Sequence, residues 1–327
     1  MDLALFKKLH EEQLISDSEF RKTEQQQHAP VSVFWDVTTL LYAGILLLST
    51  GLGILVYKNI DTIGHTIIIL TIGVLCAACF VYCFSRSAGF SFEKTEAPGL
   101  MYDYVLLLGC LLMLSFVGYL QFAYNVFGTH YGLATFVPMV LLFLAAYYFD
   151  HLGVLSMAIT ALAAWAGFTV APLKILGSND FGNEQLIITG IILGAGLIAI
   201  AFVSIARGIK IHYAFTYQNF GIHILFISLL AAMFHFDAAY LLWFLIVALV
   251  AWFTFKYAFE KRSFYFLIVM ILYGYLALTY VFIKLLFSDY LWVLSFYMAL
   301  AYFIGSGIGL IKFLMNHNKI FKRDAHL

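Results

Sequence analysis

Charge is what this chain has least of. Only 11% of its 327 residues are Asp, Glu, Lys or Arg, where a soluble domain carries about a quarter. The 18 basic residues are balanced by 18 acidic ones, so there is no positive field to hold phosphates and nucleic acid is excluded as a partner. Proline and cysteine are scarce, four of each. No G-x-S-x-G elbow, Walker A loop or H-E-x-x-H pair occurs, so no hydrolytic nucleophile, nucleotide site or cofactor motif is visible. What fills the chain is apolar: 63% of residues are hydrophobic, with 33 Phe and 21 Tyr, and the mean hydropathy is +0.94. Such content excludes disorder and ordinary solubility, and predicts a membrane protein whose first partner is the lipid bilayer.

Apolar runs near 20 residues, bounded by charged or turn residues, mark membrane helices. Ten occur, at 37–57, 63–84, 102–121, 133–149, 152–171, 185–205, 220–235, 238–255, 263–283 and 290–311. They are continuously apolar rather than alternating, so helices are expected and a porin-like barrel is not. The predicted fold is all-α: a polytopic transmembrane bundle over 37–311, a polar segment over 1–30 and a cytoplasmic tail over 312–327. Runs 133–149 and 220–235 are short enough to suggest tilted or partly re-entrant helices. The first 36 residues are polar and no small-residue cleavage site follows the first apolar run, so no cleavable signal peptide is expected.

With ten spans, the N-terminus, the even-numbered connections and the C-terminus share one side. Of the 18 Lys and Arg, only Lys58, Lys174 and Lys284 fall on the other. A miscounted helix would mix the two groups. The asymmetry predicts a multi-pass protein with both termini in the cytoplasm. A reporter active only outside the cytoplasm, fused after Leu327, should be silent; activity there would require an odd number of spans.

Residues 1–28 predict two short helices. Leu3, Phe6, Leu9 and Leu14 give the first an apolar face, and Ser16-Asp17-Ser18-Glu19 reads as a capping box that opens the second. This cytoplasmic helical hairpin over 1–30 packs on itself or on the membrane face, or else docks a cytoplasmic protein partner or a second copy. Its segment Leu9-His10-Glu11-Glu12-Gln13-Leu14-Ile15-Ser16 resembles the L-x-x-x-G-L-I-S opening of a family of predicted bacterial membrane proteins, with Gln13 where that family often has Gly. The family is defined by a domain of unknown function (number 2157). Gly118-Tyr119-Leu120-Gln121-Phe122-Ala123-Tyr124-Asn125 resembles its G-Q-x-Y stretch, and Leu133 to Trp165 its paired helices ending in Trp. The resemblance covers about the first half of the chain. It implies a bacterial inner-membrane protein and no particular activity.

Ser85–Leu100 is the longest hydrophilic interruption between helices and the best linker candidate. Phe127–Phe168 and Phe234–Leu278 share a weak pattern of outward loop with His, helix, charged turn and helix, as an internal repeat would. Gly190 and Gly194, Gly305 and Gly309, and Ser49 and Gly53 are small residues four apart, the spacing of close helix contacts in lipid. Cys76, Cys79 and Cys83 lie on one face of a helix. Inside an apolar span a thiolate is poorly solvated, so packing is preferred to a metal or redox role, and Cys110 is read likewise.

No span carries an ionisable group near its centre on these boundaries. Asp36, Asp61, Asp103, Glu184, Asp237 and Asp289 stand at helix starts, where they cap free N–H groups and meet the helix dipole. Coupling through a mid-membrane carboxylate is thereby disfavoured. Two functional classes remain. One is transport or handling of a neutral or amphipathic substrate, with Gln121 and Asn125 as cavity-lining residues. The other is a non-catalytic scaffold or sensor that uses the 1–30 hairpin. A membrane enzyme ranks third. On the outer face His130, His235 and Asp237 are speculative candidates for a transition-metal or pH-responsive site; the ordinary reading is independent interfacial histidines and a helix-capping Asp.

Overall fold

A computed structural model describes residues 34–58, 64–87, 89–95, 98–170, 183–287 and 292–323. The expected hairpin over 1–30, and with it the scaffold reading, lies outside the described residues. The regular elements among the described residues are all helical: α1 (Phe34–Lys58), α2 (His65–Arg86), α3 (Leu100–Tyr124), α4 (Tyr131–Phe149), α5 (Leu152–Val170), α6 (Glu184–Arg207), α7 (Ala214–His235), α8 (Tyr240–Glu260), α9 (Phe264–Leu286) and α10 (Trp292–Arg323). Single 3-10 turns, Ile211–Tyr213 and Asp237–Ala239, lead into α7 and α8. Among the described residues there is no strand, and ten helical stretches are long and apolar enough to cross a membrane. The chain divides into two units, Met1–Ile68 and Ile69–Leu327. The first contains α1 and the start of α2, and the second holds the rest of α2 and α3 to α10.

Apolar sequence makes the helices, and local chemistry ends them. Asn125, Asp150 and Gly208 adopt left-handed conformations that terminate α3, α4 and α6, each returning its backbone N–H to a carbonyl of the last turn. Asn, Asp and Gly are the residues that tolerate this geometry. Asn183 caps α6, its side chain accepting from Gln185 N at 2.9 Å. The two short runs become full helices. The 133–149 run is α4, with buried Pro138 inside it. The 220–235 run begins nine residues earlier, at Ile211, because the polar residues Thr216, Gln218 and Asn219 belong to the helix.

The outside of this unit is as apolar as its inside. Ile192 and Leu245 are 67% and 63% exposed, an arrangement that only a hydrocarbon solvent tolerates around most of a surface. Two cores lie within. One gathers α3, α4, α5 and α6 around Leu106, Leu142, Leu155 and Tyr213. The other joins α7, α8 and α9 around Phe226, Phe266 and Leu267. Helix α7 contributes to both through Tyr217 and Phe226, and 61% of its most apolar window is buried.

Small residues set two of the close approaches. A Cβ on Gly194 would sit 2.7 Å from Leu225 N and 2.9 Å from Gly221 O, so α6 and α7 touch backbone to backbone. A Cβ on Gly190 would strike Ser228 Oγ. Cys76 donates to Gly109 O at 3.6 Å, Cys79 Cβ lies 3.1 Å from where Gly109 would carry its own, and Cys83 is buried. The cysteines pack α2 on α3, as their spacing indicates. Gly305 and Gly309 have nothing among the described residues within 4 Å of a notional Cβ, so that small pair marks no close approach there.

Candidate functional site

Three connections meet at one end of this unit: 89–95 between α2 and α3, the turn Asp150-His151, and 208–213 between α6 and α7. Asp150 and Lys210 are side chains only 2% and 1% exposed, with Lys210 Nζ 2.7 Å from Asp150 Oδ1. Both residues have positive φ, 55° and 46°, a conformation that costs a non-glycine residue about 1–2 kcal/mol. His212 Nε2 lies 2.7 Å from the same Oδ1, and Thr95 N donates to Oδ2 at 2.6 Å. The Lys210 ammonium also stands over the rings of Phe90 and Tyr213, at 5.8 and 5.6 Å from their centroids. Backbone bonds fix the rest: Lys210 N to Phe92 O at 3.1 Å, and Tyr213 hydroxyl to Ala146 O at 2.5 Å. The stretch expected as a linker is therefore held at Phe92 and Thr95 by the turns that follow it in sequence.

Burial opposes ionisation of Asp150, but the bonds from Lys210, Thr95 and His212 and the lysine charge outweigh it, holding the carboxyl below the usual Asp range. Beside it, burial holds His151 below the usual imidazole range despite the pull of Asp103 and Asp150. His151 Nδ1 accepts from Val154 N at 3.2 Å, capping α5, while Nε2 stands 3.7 Å from Asp103 Oδ1. A group depressed in the fold stabilises fully above its unfolded value and loses that contribution as pH falls through the folded one. Both groups thus predict a melting temperature that declines on acidification, starting below about pH 6.5 for His151. His151→Asn keeps a capping side chain and removes the titration, so its melting temperature should fall less than that of the wild type over that first interval. Parallel curves would refute the assignment.

Helix α7 is where polarity enters the bundle. Tyr265 hydroxyl donates to Asn219 Oδ1 at 2.5 Å and lies 2.8 Å from His223 Nε2, while Tyr273 hydroxyl lies 2.8 Å from Nδ1. With its one proton given to Asn219, Tyr265 accepts from Nε2–H. Tyr273 hydroxyl partners Nδ1, so both ring nitrogens of His223 are hydrogen-bonded. His223 is the midpoint of the Ile211–His235 stretch. His223 thereby corrects the expectation of no ionisable group near a span centre, because the helical stretch begins at Ile211, nine residues before the apolar run at 220–235.

Gln218 is 3% exposed, and its Oε1 accepts from Tyr257 at 2.6 Å while Nε2 has no partner among the described residues. Turning the amide over would exchange the two atoms and still leave one buried polar atom unpaired. Beside it α6, α7 and α8 enclose a groove of about 540 Å³. Ile198, Phe202, Leu225 and Phe253 form its walls, and Lys256 and Glu260 its exposed rim. Because α6 and α8 run opposite to α7, Phe202, Gln218 and Glu260 share one end, on the side of the Asp150 cluster. Leu225 lies about 10 Å deeper, at 1.5 Å per residue. The groove is polar at that end and apolar in its depth.

The residues singled out in the sequence fall elsewhere. Gln121 spends its amide on the turn after α3, donating to Asn125 Oδ1 and Gly128 O and accepting from Phe127 N, each at 2.9 Å. Neither it nor Asn125 lines the groove beside Gln218. His130 precedes α4 and His235 ends α7. Asp237 opens a 3-10 turn and is engaged by Lys284 and, at 3.4 Å, by Tyr280. Among the described residues no three His, Cys, Asp or Glu stand together as a metal site, so these three are not brought to one point. Of the acidic residues expected as caps, Asp103 lies one turn inside α3 facing His151, and Glu184 follows the actual cap, Asn183. Asp61, Asp289 and the side chain of Asp36 lie outside the described residues.

No curated protein and no solved structure matches the chain. A family model described as "Predicted membrane protein (DUF2157)" matches residues 7–155, somewhat under half of it. The match takes in Leu9–Ser16, Gly118–Asn125, Asp103, Asp150 and His151, but not α6 to α9, where the groove lies. With ten apolar helices among its described residues, the chain is a multi-pass membrane protein whose residues 7–155 are similar to the predicted-membrane-protein family DUF2157.

Proposed function

We propose that this protein binds an amphipathic molecule of the membrane in the groove between α6, α7 and α8, and that handling such molecules is its role. The observation that carries the reading is the buried, half-bonded Gln218 beside a groove of about 540 Å³ whose depth is apolar and whose rim is charged. That volume lies in the range of small-molecule sites, about 300–1,000 Å³. An unpaired buried amide atom is costly, and a ligand with an oxygen or hydroxyl near its polar end relieves it. His223 and its tyrosines brace α7 against α9, which keeps one wall of the groove in place.

Ala195 lines the apolar end of the groove and is itself exposed. Ala195→Trp fills that space from the lipid side without touching the Asp150 cluster. Purified in mild detergent, the wild type should retain a bound amphipath visible by native mass spectrometry, and Ala195→Trp should lose it while melting normally. Equal retention by both would sink the proposal.

A further inference from the structure

The rim of the groove reads a particular headgroup, an inference that rests on the binding role proposed above. Lys256 and Glu260 both line the groove, one helical turn apart on α8. Neither is in an ion pair among the described residues; the Lys256 ammonium stands 5.2 Å from the Trp252 ring. The rim therefore offers one cation and one carboxylate with charge to spare, about 6 Å apart along the helix axis. Their order matters. Helix α8 ends at Glu260, so the carboxylate is outermost and the ammonium is a turn deeper, near the level of Tyr257 and its partner Gln218, which line the same groove.

We infer that this rim takes the headgroup of a zwitterionic phospholipid with a terminal primary ammonium. In such a lipid the phosphate is joined to the glycerol and the ammonium is carried beyond it. The phosphate then falls at Lys256, the ammonium at Glu260, an ester carbonyl near Gln218 and an acyl chain along Ile198, Leu225 and Phe253. A primary ammonium donates hydrogen bonds to a carboxylate, which a quaternary one cannot. An anionic headgroup would satisfy Lys256 and meet repulsion at Glu260, so the same pair that attracts one lipid discriminates against the other.

The test uses the full-length protein in phosphatidylcholine nanodiscs, each doped with a lipid bearing a photoreactive acyl chain. The headgroup is phosphoethanolamine, phosphoglycerol or a bare hydroxyl, and labelled peptides from α6 and α8 are counted by mass spectrometry. The phosphoethanolamine probe should label the groove several-fold more than either other. Glu260→Gln should abolish its advantage over phosphoglycerol, and Lys256→Gln should weaken both phosphate-bearing probes. Both residues are exposed, so neither change threatens folding. Equal labelling by all three probes, or an advantage that survives Glu260→Gln, overturns the headgroup assignment and leaves the binding role standing. Labelling of the groove by none of them overturns the binding role itself.

Discussion

Lys210→Met should cost about 3–5 kcal/mol, the usual penalty for stripping one partner from a buried ion pair. The loss is large because the Asp150 side chain is 2% exposed and, without the lysine, keeps only His212 and Thr95 N as partners. The lost rings-over-ammonium contacts with Phe90 and Tyr213 add to it. Adding Asp150→Asn to Lys210→Met should then restore part of the stability. Asparagine keeps an oxygen for Thr95 N, which donates to Oδ2 at 2.6 Å, and it removes the unpaired anion. The signature is a double variant more stable than Lys210→Met alone, read from thermal unfolding in detergent as a double-mutant cycle. A double variant as unstable as the sum of the singles would show that the charges act independently and that no pair exists.

Much of this architecture is written openly in the chain, for a reason specific to lipid. A span must be apolar on every side that meets hydrocarbon, so run length and charge mark helix ends without reference to any partner. That logic failed at α7, which is shielded by α6, α8 and α9. Its Thr216, Gln218 and Asn219 meet protein rather than lipid, and so its first turns resemble a loop. The groove and His223 were lost with it. The Asp150 cluster was hidden differently: its members are 55 and 60 or more residues apart, and nothing local announces the pairing. A faint signal does exist, since Asp150 follows Phe149 and Lys210 stands between Ile209 and Ile211. Isolated charges in very short turns flanked by large apolar residues are expensive unless paired. Small-residue spacing showed the complementary limit. Gly190 and Gly194 meet α7, whereas Gly305 and Gly309 have the same spacing and open space around them. Spacing identifies a smooth face but not what arrives there.

Two glycines on the same turn of α6 should respond to alanine with opposite signs. At Gly194 a Cβ would lie 2.7 Å from Leu225 N, and 2.9 Å from both Gly221 O and Leu225 Cα. These are backbone atoms of α7, so no rotamer change relieves the clash and the two helices must part. Forced overpacking costs about 1–3 kcal/mol, occasionally more. Here the displaced helix also carries Gln218 and His223, and Tyr213 of the Asp150 cluster immediately precedes it. Gly194→Ala should therefore lower stability and lose bound amphipath together. At Gly196 nothing lies within 4 Å of the notional Cβ. There alanine meets only lipid and gains up to about 1 kcal/mol of helix propensity over glycine. Melting of the two variants beside the wild type, with ligand retention measured on the same samples, separates packing from composition, because both changes add the same methyl group to the same helix. If Gly194→Ala and Gly196→Ala behave alike, α6 and α7 do not meet backbone to backbone, and the groove they frame with α8 has a different shape.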